Sequence, residues 1–296
     1  PFHAWLPDAH PSAPAPISAM LSGVLIKALG IYALARLVFN VFGGVSPLPQ
    51  TLSILGVLSM VAGGLLGPVQ KDIKRLLAYH SISQMGYIAL AIGLGTPLGF
   101  LAGIFHLANH AVFKSLLFLG AGAVEMRTGT RDLSKMGGLA GKMPVTAATY
   151  FTAAMSIGGV PPFNGFFSKL LIVIACVEAK SYGLAVAAVL LSMVTLGCFL
   201  KVQREAFMGD AGNRWAKVKE IPVSMALAMI LLAVLCLGMS GLAIPGQPRR
   251  ILESAAKALD ERSGYKKHLG VEKRGAIAET ELRRAAMLPE EGRVHE

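Results

Sequence analysis

Charged side chains are scarce in this chain. Asp, Glu, Lys and Arg together make up 15% of its 296 residues, whereas soluble globular domains usually contain about 25%. Hydrophobic residues make up 54% of the sequence. This balance excludes an ordinary soluble domain and indicates a protein embedded in a lipid bilayer.

Cysteine is nearly absent, and the sequence carries no recognisable cofactor motif. Cys176, Cys198 and Cys236 lie singly in apolar stretches, and no pair has the spacing of a zinc, iron–sulfur or dithiol site. A phosphate-binding glycine loop and a dinucleotide fingerprint are also missing. We therefore expect no cofactor, no metal and no catalytic redox site here, so that any electron transfer belongs to another chain.

Positive charge dominates, with a net charge of +11, but its distribution is not that of a nucleic-acid-binding protein. Basic residues are concentrated in every second loop, at 70–75, 126–142 and 201–219. The alternate loops, at 40–50, 96–97 and 178–181, contain a single basic residue, Lys180. No aromatic-rich basic groove accompanies these residues. The pattern predicts basic loops on the cytoplasmic side of a membrane and no nucleic-acid partner.

Long apolar runs predict about seven membrane spans. A span needs about 20 mostly apolar residues, and the segments that qualify are 17–39, 51–69, 76–95, 98–124, 144–177, 182–202 and 221–243. We predict an all-α, polytopic membrane bundle over residues 1–245, followed by a polar, mixed-charge tail over residues 246–296.

The tail is predicted to form a short surface helix that ends at Gly264. It is interpreted either as a solvated appendage or as a docking helix for a partner. The span count puts it on the side opposite the basic loops. Its apolar stripe at helical spacing consists of Ile251, Leu252, Ala255, Ala256 and Leu259.

The fifth apolar segment is too long for a simple span. Two adjacent prolines near its middle remove backbone donors and clash with the preceding turn, so we predict a helix break near residues 158–165. The residues that make this break are Gly159, Pro161, Pro162 and Gly165. Discontinuous helices at membrane depth form ion sites in transporters. The alternative is two short helices joined by an interfacial loop.

Lys27 falls near the centre of the first span. A central lysine costs about 2.5–3.5 kcal/mol on insertion scales, so its presence needs an explanation. One interpretation is a lysine that gains and loses a proton, because removal from water disfavours the charged form of an amine. The other is a structural lysine satisfied by backbone carbonyls.

The fourth span carries His106, His110 and Lys114 at i, i+4 and i+8, which stacks them on one helix face. Such a row predicts a relay in which protons move through intervening water. Zinc is the competing interpretation, because two histidines one turn apart can bind it. No carboxylate or cysteine accompanies them in the span, which disfavours a metal. A purely structural polar seam is the third interpretation.

Two further residues extend this row of titratable groups. Lys169 follows the predicted break directly and is a candidate for the end of an ion path, with snorkelling to the interface as the alternative. His80 lies on the third span near a basic loop, where a secondary place on the path and a structural role are equally open.

Four motifs lie in consistent order along residues 1–245: PFHAWLPDAH (1–10), APAPISA (13–19), DIKRLLAY (72–79) and GVPPFNGFFSK (159–169). In these motifs the chain resembles the antiporter-like subunits of respiratory complex I. The same family includes membrane subunits of energy-converting hydrogenases and formate hydrogenlyases, and Mrp-type cation/proton antiporters. The stretch 9–27 looks closest to the hydrogenase-type branch, and a complex I subunit is the nearest alternative.

The resemblance implies a fourteen-helix fold of two inverted repeats, of which this chain would supply the second. Lys27 then matches the family's central bridging residue, and His106, His110 and Lys114 match its relay helix. Lys169 matches the terminal lysine of the second half-channel. The first repeat, with its glutamate–lysine pair, has no counterpart here, so we expect the chain to be incomplete at its N-terminus.

The resemblance also implies a function and partners. We expect a multi-pass, non-redox subunit of a redox-driven complex in the inner membrane of a prokaryote. This subunit would translocate protons, or sodium. Its partners would be other membrane subunits, a missing N-terminal half and either an iron–sulfur/hydrogenase or an NADH dehydrogenase peripheral arm. The alternatives are a secondary Mrp-type antiporter subunit without a redox partner and a purely structural membrane subunit.

Overall fold

The computed structural model of the protein describes residues 3–209, 215–243 and 247–260. Within these ranges all regular secondary structure is helical, apart from one isolated bridge between Asp72 and Asp132. The α-helices are α1 (Leu6–Ser12), α2 (Ala15–Met20), α3 (Ile26–Arg36), α4 (Leu48–Leu66), α5 (Ile73–Gly93), α6 (Pro97–Thr128), α7 (Pro144–Gly158), α8 (Asn164–Glu178), α9 (Tyr182–Val202), α10 (Val223–Gly238) and α11 (Gln247–Asp260). Turns of π-helix join α2 to α3 and extend α3 and α9, at Leu21–Leu25, Leu37–Val41 and Gln203–Phe207.

The predicted membrane spans are all present as helices. Among the described residues, the segments long and apolar enough to cross a membrane are Ala15–Val41, Leu48–Leu66, Pro97–Thr128, Tyr182–Phe207 and Val223–Ala243. The two other predicted spans correspond to α5 and to the pair α7 and α8. Helix α5 is more polar because it lies inside the bundle, where nearly all of its side chains are buried.

The bundle exposes apolar side chains and encloses a set of buried polar side chains within an apolar core. Helices α9 and α10 expose large aliphatic side chains, such as Met193 and Leu231, as expected for surfaces that face lipid. Helix α5 packs against α4 through glycines, and a β-carbon at Gly86 would lie 2.5 Å from the carbonyl oxygen of Gly56. Small residues allow this close backbone approach in membrane bundles. Helices α5 and α6 lie in the interior and carry many of the buried polar side chains, including His80, His106, His110 and Lys114.

The predicted helix break is present. Helix α7 ends at Gly158, and Gly159 adopts a φ of 76°, the left-handed conformation that commonly terminates helices. Helix α8 begins at Asn164. A β-carbon at Gly165 would overlap the carbonyl oxygen of Ser156, so only glycine allows the two half-helices to approach this closely.

The three basic loops gather at one end of the bundle. Backbone hydrogen bonds join two of them, from Ile73 N to Arg131 O and from Leu133 N to Lys71 O, both near 3 Å. The third is anchored by Glu220, whose carboxylate accepts hydrogen bonds from Val145 N and from the Thr146 N and Oγ1 atoms at the start of α7.

Helix α11 is the described part of the tail, and it packs on the bundle rather than standing in solvent as an appendage. Leu252, Ala256 and Leu259 are buried against α3, α6 and their neighbours. Arg36 Nη1 also donates to the carbonyl oxygen of Ala258 at 2.8 Å. The other members of the predicted stripe, Ile251 and Ala255, are exposed because they point away from this contact. The predicted stop at Gly264 lies outside the described residues.

Candidate functional site: a buried row of lysines and histidines

Every titratable residue singled out from the sequence is buried in the bundle. His80, His106, His110 and Lys114 are completely inaccessible, and Lys27 and Lys169 are about 5% exposed or less. These side chains come from α3, α5, α6 and α8, so the tertiary structure assembles them from segments far apart in the chain.

Lys27 is paired with a histidine that sequence reasoning did not select. Its Nζ lies 3.0 Å from Nε2 of His10, which is 1% exposed and stacks on Phe118 with ring centroids 4.6 Å apart. His10 lies in a separate short helix, so no local periodicity linked it to Lys27. The signal available was its place in the PFHAWLPDAH motif. A π-helical turn, Leu21–Leu25, directly precedes α3, and such turns often occur at functional sites.

Lys114 is held only by neutral groups in the described structure. Its Nζ donates to the carbonyl oxygen of Leu77 on α5 at 2.6 Å and lies 5.6 Å from the centre of the Phe118 ring. The same carbonyl oxygen also accepts a hydrogen bond from Ser81 Oγ. No carboxylate of the described residues pairs with this ammonium group, unlike the usual arrangement for a buried lysine.

His106 connects three helices. Its Nδ1 lies 2.9 Å from Ser168 Oγ on α8, and its Nε2 lies 3.1 Å from Gln84 Oε1 on α5. Gln84 Oε1 can only accept, so in the neutral ring Nε2 carries the proton and Nδ1 accepts from the Ser168 hydroxyl. Gln84 appeared in the sequence only as part of a weak polar stripe, whereas its contact with His106 makes it a member of the site.

His110 and His80 make no hydrogen bonds with the described residues through any of their ring nitrogens. His110 lies one turn from both His106 and Lys114 on α6, as the sequence spacing predicts. His80 contacts the ring of Phe199 and fills the space beside Gly67, away from the directly bonded groups. Buried imidazole nitrogens are normally satisfied by protein or by ordered water, so both rings are suited to hold water in the interior.

Lys169 occupies the helix break. Its Nζ donates to the carbonyl oxygen of Ile157 at 2.7 Å and to Ser192 Oγ at 3.1 Å, and lies 5.0 Å from the centre of the Tyr87 ring. The break leaves the last carbonyls of α7 without helical partners, and the negative end of the helix dipole points at the ammonium group. Lys169 is 5% exposed and lies beside a cavity of about 240 Å³.

A pair of asparagines fixes α8 against α6. Asn109 Nδ2 donates to the carbonyl oxygen of Asn164, and Asn164 Nδ2 donates to Asn109 Oδ1, both at 3.0 Å. Asn164 Oδ1 also accepts a hydrogen bond from Ser156 of α7. These contacts hold both half-helices beside the relay residues of α6. The break itself exposes Pro161 and Pro162, while the adjoining ends of the two half-helices are held against α6.

The arrangement suits the movement of protons more than the binding of a metal. In the part of the chain that the structure describes, no group of three His, Cys, Asp or Glu side chains is placed to hold a metal ion. Amines, imidazoles and hydroxyls instead follow one another through the interior. Direct contacts join Lys27 to His10 and His106 to both Gln84 and Ser168.

The comparison with protein families agrees with this architecture. Residues 1–195 match the family described as "NADH:quinone oxidoreductase/Mrp antiporter, TM". The chain is 39% identical over 262 residues to hydrogenase-4 component B of Escherichia coli. This alignment covers 80% of this chain and 39% of that protein. It is 34% identical over 249 residues to NADH-quinone oxidoreductase subunit N of Desulforudis audaxviator, which covers 79% of this chain and 50% of that protein.

A solved structure shows the same fold. The Mrp complex from a Dietzia species contains a chain that superimposes with a TM-score of 0.80 at 30% sequence identity, covering 90% of this chain and 57% of that chain. This chain thus spans about half or less of the length of the curated relatives described above. Its helices, its buried polar interior and these matches together show that it is a multi-pass membrane protein of the NADH:quinone oxidoreductase/Mrp antiporter family.

Proposed function

We propose that this chain translocates protons as a membrane subunit of a redox-driven complex. Protons would move between Lys27 and Lys169 through His10, Lys114, His110 and His106. The names of two relatives, a hydrogenase-4 component and an NADH-quinone oxidoreductase subunit, support the link to a redox complex.

The observation that carries this proposal is the kind of acceptor that surrounds the buried lysines. Lys114 and Lys169 donate to backbone carbonyl and hydroxyl oxygens, and Lys27 contacts an imidazole. A carboxylate partner would hold each lysine in its charged form. Neutral acceptors leave the lysine free to release its proton, and a nearby cation favours that release. Protonation of one site therefore promotes deprotonation of the next.

The same chemistry favours protons over sodium as the transported ion. Sodium is a hard cation, and such ions are bound by clusters of oxygen ligands that commonly include carboxylates. The described interior row offers amines and imidazoles instead, and a charged lysine repels a metal cation. Proton transfer needs only a donor and an acceptor in contact or joined by water.

The partners and the orientation belong to the same proposal. The subunit would pack beside other membrane subunits and a counterpart of the family's first repeat. A peripheral arm of the iron–sulfur/hydrogenase or NADH dehydrogenase kind would supply the electrons. The basic loops would face the cytoplasm of a prokaryote, in accordance with the positive-inside rule.

The test is substitution within the native complex. Lys114→Ala and Lys169→Ala should each lower proton pumping by about 10²-fold, the usual contribution of a positioned proton-transfer group. Pumping is measured in membrane vesicles and normalised to the amount of assembled complex. Lys201→Ala is a matched control, because Lys201 also donates to a backbone carbonyl, that of Pro68 at 2.9 Å, but lies outside the row. Normal pumping in both variants would rule the path out.

Purification of the native complex in mild detergent tests the redox link. Mass spectrometry of the co-purifying chains should find an iron–sulfur or NADH-oxidising protein. Small membrane subunits without any redox protein would instead identify a secondary antiporter. A purely structural role would appear as loss of assembly in the lysine variants with no separate loss of transport.

A further inference from the structure

A second cluster of charged residues lies outside the row of lysines and histidines, at the end of the bundle where the basic loops gather. Lys74 Nζ lies 2.7 Å from a carboxylate oxygen of Glu125, and Arg131 Nε lies 3.8 Å from the other oxygen. Arg131 also pairs with Asp72 at 3.0 Å. Lys74 is 2% exposed, whereas the Glu125 side chain is 34% exposed. Glu125 is thus the member of this pair that reaches water.

Glu125 forms part of the wall of a cavity of about 530 Å³. The cavity is also lined by residues 11–16, where α1 ends and α2 begins, and by Gly122 of α6. A β-carbon at Gly122 would overlap Ala15, so glycine is required where α6 passes this connection. A space of this size, with charged groups on its wall, can hold several water molecules.

The cavity and the proton path share helix α6. Lys114 and Glu125 are eleven residues apart on α6, which places them on nearly the same helix face about 16 Å apart. Phe118 lies between them and contacts both His10 and Lys114. From Gly122 on the cavity wall to Phe118 is one helical turn, about 6 Å.

The same cations also hold the segment that carries His10. Arg131 Nη1 donates to the carbonyl oxygen of Pro11, and Lys74 Nζ donates to that of Ala13. His10 lies immediately before this segment and contacts Lys27. The carboxylate, the cavity and the first internal proton acceptors are therefore fixed relative to one another.

We propose that Glu125 is the proton-uptake residue for this path on the side of the basic loops. Its carboxylate takes a proton from water and passes it through the water-filled cavity toward His10 and Lys114. Lys74 and Arg131 keep the carboxylate at the cavity and repel metal cations from it. These two basic side chains on the cavity wall make the route selective for protons. A proton moves from one water molecule to the next, so no metal cation has to travel past Lys74 and Arg131. This inference rests on the proposed function, because it names where that path begins.

The experiment uses inside-out vesicles that contain the native complex, with the basic-loop side facing a medium of controlled pH. Glu125→Gln should lower pumping about tenfold or more at alkaline pH, the effect of losing a proton-transfer group. Acidification should restore pumping, because a higher proton concentration speeds proton transfer along the cavity water without a carboxylate. Glu125→Asp should keep most of the activity. Glu178→Gln is the control, since this exposed carboxylate ends α8 at the other end of the bundle.

Two results overturn the proposal. One is pumping by Glu125→Gln at the wild-type rate at every pH. The other is a loss that neither acid nor the Asp variant relieves, which indicates a purely structural ion pair. If Lys114→Ala pumps normally, the proposed function itself fails. If only Lys114→Ala is impaired and Glu125→Gln is normal, the path stands and the uptake site is wrong.

A second variant covers the case in which Glu125→Gln does not assemble. Met126 lines the cavity and is 53% exposed, so Met126→Trp narrows the cavity without touching the ion pair. Pumping should fall several-fold at alkaline pH. Leu58→Trp places the same side chain on an exposed position of α4 and should have no effect. Equal pumping by the two Trp variants would count against the cavity as the route.

Discussion

Lys74 and Lys114 are both buried lysines that join α5 to α6, but the two contacts differ in the charge of the partner. Lys74 projects from α5 and pairs with the carboxylate of Glu125 on α6, with a contact of 2.7 Å. Lys114 projects from α6 and donates to the neutral carbonyl oxygen of Leu77 on α5, with a contact of 2.6 Å. Equal proximity and burial therefore produce two different electrostatic environments.

The difference separates a lysine with a charged partner from a lysine with only neutral partners. A carboxylate partner stabilises the charged amine, and removing either member leaves a poorly compensated charge. A carbonyl oxygen accepts a hydrogen bond but carries no net charge, so the amine can lose its proton without stranding an anion. Lys169 resembles Lys114, since its partners are Ile157 O and Ser192 Oγ.

The largest expected effect comes from exchanging each lysine for arginine. Arginine keeps its proton under all conditions in proteins. Lys114→Arg should therefore lower proton pumping by about 10²-fold, whereas Lys74→Arg should retain its ion pair and most of the pumping. Proton uptake into vesicles, normalised to the assembled complex, measures both. Equal pumping by the two variants would contradict the distinction between the lysines.

The second effect concerns the helix break that supplies the neutral partners of Lys169. Gly165→Ala places a β-carbon on the carbonyl oxygen of Ser156 and forces α7 and α8 apart. We expect a loss of stability of about 4 kcal/mol or more, the range of severe backbone clashes. The measurement is the amount of folded protein recovered in detergent. Gly197→Ala, where a β-carbon meets no atom within 4 Å, is the control. Similar yields of both variants would mean that the half-helices are not closely packed.

Removing the charge altogether gives a smaller effect, with opposite outcomes at the two lysines. Lys74→Met should lower stability by about 1–2 kcal/mol, less than for a fully buried pair because Glu125 is partly exposed. Lys114→Met should leave thermal stability within about 1 kcal/mol of wild type, because no buried anion remains. Thermal unfolding of the purified complex measures both. A larger loss in Lys114→Met than in Lys74→Met would reverse the assignment of roles.

The smallest effect is expected at Glu220, a carboxylate held by neutral donors. Burial opposes its ionisation, but hydrogen bonds from Thr146 Oγ1 and from the backbone N–H groups of Ile221, Val145 and Thr146 outweigh this and lower its pKa. The stabilisation is present above the unfolded value, about 4.3, and is lost as pH falls through the lower folded value.

Glu220→Gln should therefore cost about 0.5–1 kcal/mol at neutral pH, the usual range for a helix N-terminal cap, reduced by solvent screening. Below about pH 4.3 the difference from wild type should shrink. Thermal unfolding of both proteins between neutral and acidic pH measures this. A difference that is constant across that range would show that the charge of Glu220 does not contribute.

Much of the fold follows from local sequence properties. Apolar runs predicted the helices, and the paired prolines predicted the break between α7 and α8, because both features act within a few residues of the chain. The buried position of Lys114 was also predicted, since its helix is apolar on both sides. For the tail, the sequence predicted a helix with an apolar stripe. It did not predict which residues of the stripe contact the bundle, because helical spacing alone does not locate the surface on which the helix packs.

The partners of the site residues could not be predicted in this way. His10 lies 17 positions from Lys27 and in a different helix, and the distance between Gln84 and His106 depends on how α5 packs on α6. Likewise, nothing in the local sequence distinguishes Lys74, which faces a carboxylate, from Lys114, which faces a carbonyl oxygen.

By itself the sequence determined the membrane class of the protein and its helices, because hydropathy and backbone restriction are properties of short segments. Only the tertiary structure decided which lysine meets a charged partner and which meets a neutral one. That choice depends on the register between helices distant in the chain, which is set by close packing at glycines such as Gly56 and Gly86. In this bundle, the packing register therefore decides that Lys74 meets a carboxylate and Lys114 only neutral groups.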